Sequence, residues 1–299
     1  VKRADPIPAI REEEATGREA AIFADLRVTL GVPFVNLIWR HLATMPEMLE
    51  WTWALVKPLY ESEELVRASE VLRAAVTASD CITQPACVFD AVGVAASDRV
   101  VIGAMLRAYN AANASNLLCI LVAQSVLTGA LPDFPVPTAV SGPERPKTSL
   151  VLPKLPGLHE LSPEIQSLVL ELDKFGRFAP TEASASLYRH LTHWPGFLAV
   201  AHAALSAPHR DGRLQSEHAM MRDRARKLAS NRILPMAAGP PPPVCADKEV
   251  VRTSLEIFTG DMIARMVVMG ELMLALLPEQ YDLSAIPRPN QSRLREGIK

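Results

Sequence analysis

Apolar residues recur at intervals of three and four along most of the chain. The stretches "REAAIFADLRVTLG", "PEMLEWTWALVKPLY", "EELVRASEVLRAAVT" and "SDRVVIGAMLRAYNAANASNLLCILVAQSVL" all carry this spacing. It puts one stripe of each segment on a buried face and predicts amphipathic helices. Asp98 is expected to cap the last of these. Alternating β-branched runs are scarce, so the predicted fold class is all-α. "PTAVSGPERPKTSLVLPKLPG" is punctuated by proline and predicts a linker. Helical spacing resumes after it, at Ser162-Pro163-Glu164: a capping serine, a proline in the first turn and an acid at the positive helix end. A second proline run, "GPPPPVCADK", predicts a loop between "SEHAMMRDRARKLA" and "EVVRTSLEIFTGDMIARMVVMGELMLAL".

The second half echoes the first. "AIFADLRVTLG" ends at Gly31 and "EIQSLVLELDKFG" at Gly176, 145 residues later. Arg40-His41-Leu42 recurs as Arg189-His190-Leu191, 149 residues later, and "LTGALP" as "MLALLP" after 146. Three anchors in one order predict a pseudo-dimer of two similar helical repeats. The expected divisions are 1–132, a Pro-rich linker over 133–157, and 158–299. A duplicated chain of this kind brings equivalent positions together at the contact between its halves, where a ligand site is expected.

Charge and composition narrow the function classes. Basic residues number 31 against 33 acidic ones, and aromatics make up 5% of the 299 residues. No basic run or stacking platform for nucleic acid follows from this. The opening "VKRADPIPAIREEEATGRE" holds no apolar core of a secretory leader, so a cytoplasmic location is expected. "NLLCILVAQSVLTGAL" and "MIARMVVMGELMLALLP" are apolar but interrupted and shorter than a membrane span. They predict core helices and no membrane partner. Cys81, Cys87, Cys119 and Cys245 match neither a zinc site nor a redox pair, and Cys119 is expected in the core.

Several constellations carry candidate chemistry. His190 and His193 lie three apart, as two metal ligands on a helix would, but a third and fourth ligand are missing, so no metal and no cofactor is expected. Ser186 stands one turn before His190 without an acid to orient the pair. Trp39, Trp51 and Trp53 read as core. Asn110, Asn113 and Asn116 recur every three residues ahead of an apolar run. Asparagine is a poor helix former, so this row is either solvated or set around a polar cavity.

"DLRVTLGVPFVNLIWRHLATMP", "LRAYNAANASNLLCILVAQ", "THWPGFL" and "IFTGDMIARMVV" together resemble, in order, stretches of the group I 2-haloacid dehalogenases. The resemblance implies an all-α pseudo-dimer with its active site between the repeats. It implies a small carboxylic acid substrate and hydrolysis of the carbon–halogen bond by a water that an Asp activates, with no covalent intermediate. It also leaves a homodimer open. Carried over by position, Asn113 matches the family's active-site asparagine and Phe258 its phenylalanine. Phe34, Asn36, Leu37, Asn116, Leu255, Thr259 and Met262 replace other pocket residues. The family's Asp falls seven residues before the Trp of Trp-Pro, which here is Leu187, preceded by Ser186. Counted forward from Pro180 it falls on Ala183. Glu182, next to that position, is the candidate base. A different reaction on a small organic acid, or ligand binding without turnover, remain the alternatives.

Overall fold

The structure, a computed structural model, describes residues 7–76, 83–129, 151–178, 184–244 and 247–278. Every regular element among them is helical. The first half contributes α1 (Gly17–Leu30), α2 (Leu37–Leu42), α3 (Met48–Tyr60), α4 (Glu63–Ala74), α5 (Ala86–Ala91) and α6 (Ala96–Leu127). The second contributes α7 (Pro163–Lys174), α8 (Ser186–Leu191), α9 (Pro195–Arg210), α10 (Arg213–Leu228), α11 (Lys248–Ile257) and α12 (Ile263–Leu276). A π-helical turn, Phe258–Met262, joins the last two. Of the expected linker, 151–157 is described and carries no helix or strand.

Local chemistry sets the helix ends. Ser162 Oγ accepts from the Ile165 N–H at the start of α7, with Pro163 in the first turn as the sequence predicts. α1 stops at Gly31, whose φ of 66° is left-handed and costs a glycine little. Asp98 is not the cap of α6. The helix begins two residues earlier, and Asp98 sits inside its first turn, where one carboxylate oxygen accepts from Ala95 N–H at 2.9 Å. The other oxygen accepts from the Trp194 indole at 3.0 Å and fastens the second half to α6.

The core is organised on α6 and α12, which lie against one another, with α3, α4, α10 and α11 packed around them. The backbones meet closely at Gly270. A Cβ there would come within 2.0 Å of Asn110 Oδ1 and would force that buried side chain to move. With 32 residues, α6 is longer than its apolar stretch suggested and is long and apolar enough to cross a membrane. Of its most apolar window, 83% is buried among the other helices. Trp39, Trp51 and Trp53 are core residues, and Trp39 meets Trp53 edge to face at 5.6 Å. Cys119 is buried and Cys87 exposed; Cys81 and Cys245 lie outside the described residues.

A buried ion cluster anchors the segment leading into α8. Asp173, on α7, faces Arg265 of α12 at 3.2 Å and Arg177 at 3.4 Å. Its second oxygen accepts from the Ala185 N–H at 3.3 Å. Burial opposes the charge on Arg265, but Tyr188, Asp173 and Asp261 outweigh it and hold the guanidinium above its ordinary pKa.

Candidate active site

The asparagine row of α6 is buried, which settles its two readings in favour of a polar interior. Asn110 packs on Gly270, while Asn113 and Asn116 face a cavity of about 40 Å³. Asn116 Oδ1 accepts two hydrogen bonds, from the Trp39 indole at 3.0 Å and from the Tyr60 hydroxyl at 2.6 Å. An indole nitrogen only donates, so this fixes the amide orientation and leaves Asn116 Nδ2 a donor without a protein partner. Asn36, at the start of α2, donates through Nδ2 to Asn113 Oδ1 at 3.2 Å, and its own Oδ1 has no protein partner. The cavity therefore presents an open donor and an open acceptor, both from buried amides.

Its remaining walls come from α2, α8, α6, the π turn and α12. Leu37 and Ile38 belong to α2, Ser186 and Leu187 to α8, and Tyr109 to α6. The π turn and the start of α12 supply Phe258, Met262, Ile263 and Met266. A π turn widens the helix by one residue and often marks a functional site. Thr259 Oγ1 donates to the Leu255 carbonyl at 2.9 Å and faces Gln124 Oε1 at 3.2 Å. Thr259 and Leu255 thus brace the turn and are not among the residues that line the cavity.

Most of the predicted site does converge: Asn36, Leu37, Asn113, Asn116, Ser186, Leu187, Phe258 and Met262 share this one cavity. Phe34 stands in an adjoining cleft, stacked on Tyr109 with ring centroids 4.0 Å apart. Glu182 lies outside the described residues, three positions before Ala185 in the cavity wall. No carboxylate lines the cavity among the described residues. Tyr109 escaped the sequence reading, although it lies one helical turn before Asn113 and so shares its face.

The adjoining cleft is much larger, about 610 Å³. Its walls are two non-helical segments, 7–14 and 152–157, with Phe34, Arg40, Arg189 and His190 behind them. Leu37 and Tyr109 belong to both spaces and form the partition. The two candidate histidine pairings do not form. Ser186 Oγ accepts from Arg40 at 3.2 Å, and His193 Nε2 bonds the Lys154 carbonyl at 2.9 Å. His190 instead takes the Tyr109 hydroxyl on Nδ1 at 2.6 Å, and its ring also bonds the Pro153 carbonyl. Burial, then His193 and Arg189, push its pKa down to about 4, so the ring is neutral near pH 7. His41 in α2 has a similar arrangement: Nδ1 donates to the Pro8 carbonyl at 2.7 Å and Nε2 accepts from Ser254.

Comparison with known proteins adds a fold and a short sequence match. The chain superposes on a D-2-haloacid dehalogenase mutant in complex with D-2-CPA, with a TM-score of 0.66 over 91% of this chain and 92% of that one, at 19% identity. The chain has the helical fold of a D-2-haloacid dehalogenase. A second such structure, in complex with L-LA, gives a TM-score of 0.66 at 17% identity over 92% of this chain and 96% of that one. In sequence, 59 residues are 37% identical to an (R)-2-haloacid dehalogenase of Pseudomonas putida. That match spans 19% of this chain and only 20% of the relative's length. No family model matches the chain.

Proposed function

We propose that this chain is a hydrolase of the 2-haloacid dehalogenase type, taking a small 2-substituted carboxylic acid between its two halves. The observation that carries the reading is the amide-lined cavity, to which three of the four separate resembling stretches contribute. In it, Asn113 and Asn36 hold the attacking water. Glu182 takes the proton as the water oxygen bonds to the substituted carbon and the halide leaves. The apolar wall of Phe258, Met262 and Leu187 receives the leaving group. The cavity has room for a water or two. A haloacid therefore enters by displacing the Leu37–Tyr109 partition.

The halves are read as a duplicated pair, residues 1–132 and 158–299 joined by 133–157. Two features support this. α2 and α8 are both six residues long, and each carries a histidine bonded to the carbonyl of a proline in a non-helical segment, Pro8 or Pro153. Gly31 and Gly176 both take left-handed φ, 66° and 72°. The expected setting is a cytoplasmic protein, monomer or homodimer, which light scattering separates.

A second reading, ligand binding without turnover, is favoured by Leu187. It is 1% exposed and faces the cavity at the position counted back from Trp194 to the family's Asp. Halide release from racemic 2-chloropropionate and 2-bromopropionate, by wild type and by Glu182→Gln, separates the two. Release by wild type alone supports Glu182 as the base. Equal release by both removes Glu182 from the mechanism, and release by neither leaves the binding reading.

A further inference from the structure

The cleft of about 610 Å³ is rimmed by exposed Glu13, Glu14, Lys154 and His159, so it is the wet side of the partition. The cavity of about 40 Å³ is the dry side, with Leu187, Phe258 and Met266 buried in its walls. Of the two partition side chains, Leu37 is half-buried and Tyr109 is 2% exposed. Tyr109 sits in the middle of α6, where helix bonds hold its backbone, so the motion open to it is rotation of the side chain. Its ring lies on Phe34 with planes 16° apart, a face contact along which a ring slides. What fixes the ring is the hydroxyl, which donates to His190 Nδ1 at 2.6 Å. The imidazole is held in turn by the Pro153 carbonyl, in the segment that walls the cleft. Burial keeps the phenol well above its ordinary pKa and the imidazole down to about 4, so both partners are neutral. The tie is therefore one neutral hydrogen bond, far weaker than a buried ion pair.

We propose that Tyr109 is the gate between the cleft and the cavity, and that its hydrogen bond to His190 is the latch that holds it shut. A guest arriving from the cleft turns the ring out of the partition. The phenol then leaves His190 for the water of the cleft, so its donor is not stranded. With the ring turned, the cavity opens onto the cleft, and a small acid brings its substituted carbon up to Asn113 and Asn36. Tyr109 thus sets what passes, and the latch sets how often. That the guest is an acid awaiting hydrolysis rests on the function proposed above; the gate stands on the two spaces and the bond between them.

Side-chain amide exchange, followed by NMR, tests the gate without any guest. Asn116 Nδ2 is buried at the cavity with no protein partner, so its protons wait only on the arrival of water. Asn110 Nδ2, on the same helix, is equally buried and unpartnered but lies outside the cavity lining, and serves as the control. Tyr109→Phe keeps the ring and its stacking and removes the latch. It is expected to speed exchange at Asn116 about 3- to 10-fold, the worth of one net hydrogen bond, and to leave Asn110 unchanged. Propionate, titrated by calorimetry, is expected to bind the variant more tightly by about the same factor, because opening no longer breaks that bond. A tyrosine that only props the fold would weaken binding when cut. In wild type, exchange at Asn116 is expected to proceed by a local opening that low urea does not accelerate, a measurement that needs no variant. The proposal is overturned if Asn116 exchanges only as fast as urea-dependent global unfolding allows, if Tyr109→Phe speeds Asn110 as much as Asn116, or if the folded variant binds propionate no more tightly than wild type. Halide release reports separately. Its absence from a protein that passes these tests removes the hydrolase and leaves the gate, and its presence in one that fails them does the reverse.

Discussion

Tyr109 donates its hydroxyl to His190 Nδ1 at 2.6 Å, joining the long helix of the first half to α8 of the second. The bond stands at the edge of both the cavity and the cleft. It holds the imidazole neutral: a protonated Nδ1 would have to donate, and burial beside Arg189 and Arg40 opposes any charge.

Stability should therefore fall on acidification. The unfolded ring protonates near pH 6.5 and the folded one only near pH 4. Between these values the unfolded state binds more protons, so the contribution of neutral His190 is full above about pH 6.5 and lost as pH falls toward 4. Its size is at most about 3 kcal/mol. His41, also lowered by burial, acts in the same direction. Urea melts at pH 7.5 and 4.5 should show a smaller difference for His190→Gln than for wild type; an equal difference would remove His190 as a source.

Asn116 satisfies two buried donors with one oxygen. Asn116→Leu strands the Trp39 indole and the Tyr60 hydroxyl, and is expected to cost about 2–5 kcal/mol. Tyr60→Phe removes a donor together with its need and should cost about 1 kcal/mol. A double-mutant cycle in urea should return a coupling between the two positions well above 0.5 kcal/mol.

Gly270→Ala should lower the melting temperature. Its Cβ would overlap Asn110 Oδ1, and the side chain that must move is itself fully buried. Overpacking of this kind costs about 1–3 kcal/mol. The double variant Gly270→Ala with Asn110→Ala should recover part of the loss, which differential scanning calorimetry would show.

Leu187→Asp places a carboxylate in the cavity within the wall that also holds Asn113. If the cavity is built for haloacid hydrolysis, the variant gains halide release from 2-bromopropionate over wild type. It should also be less stable by about 3 kcal/mol, because the new group is buried. A folded variant with no gain would count against a hydrolytic cavity.

Arg265→Met leaves Asp173 with less of its compensation in the core and should cost about 3–5 kcal/mol. Because Asp173 also holds the Ala185 N–H, the same variant should loosen α8, measurable as faster amide exchange at Leu187 and Tyr188.

Much of this architecture was legible in the residue order. Spacing of three and four marked the helices, and Ser162-Pro163 marked the start of α7. The resembling stretches pointed to Asn36, Leu37, Asn113, Ser186 and Phe258, which meet in one cavity. Asp98 was misplaced because an acid inside the first turn and a capping acid are favoured by the same helix-end charge. Thr259 and Leu255 were named by carry-over of positions from the resembling family, and a matched position says nothing of which face a helix turns inward where a π turn, here Phe258–Met262, changes the register.

The sequence by itself determined what is local: where helices form and stop, and which faces are apolar, since those depend on neighbours within a few positions. Only the tertiary structure decided which polar groups meet. Asn116 could be solvated or buried until Trp39 and Tyr60, 77 and 56 residues away, were brought onto its oxygen. Arg40 and Arg189 line one cleft for the same reason: they lie on separate helices, and only the packing of those helices sets both against it.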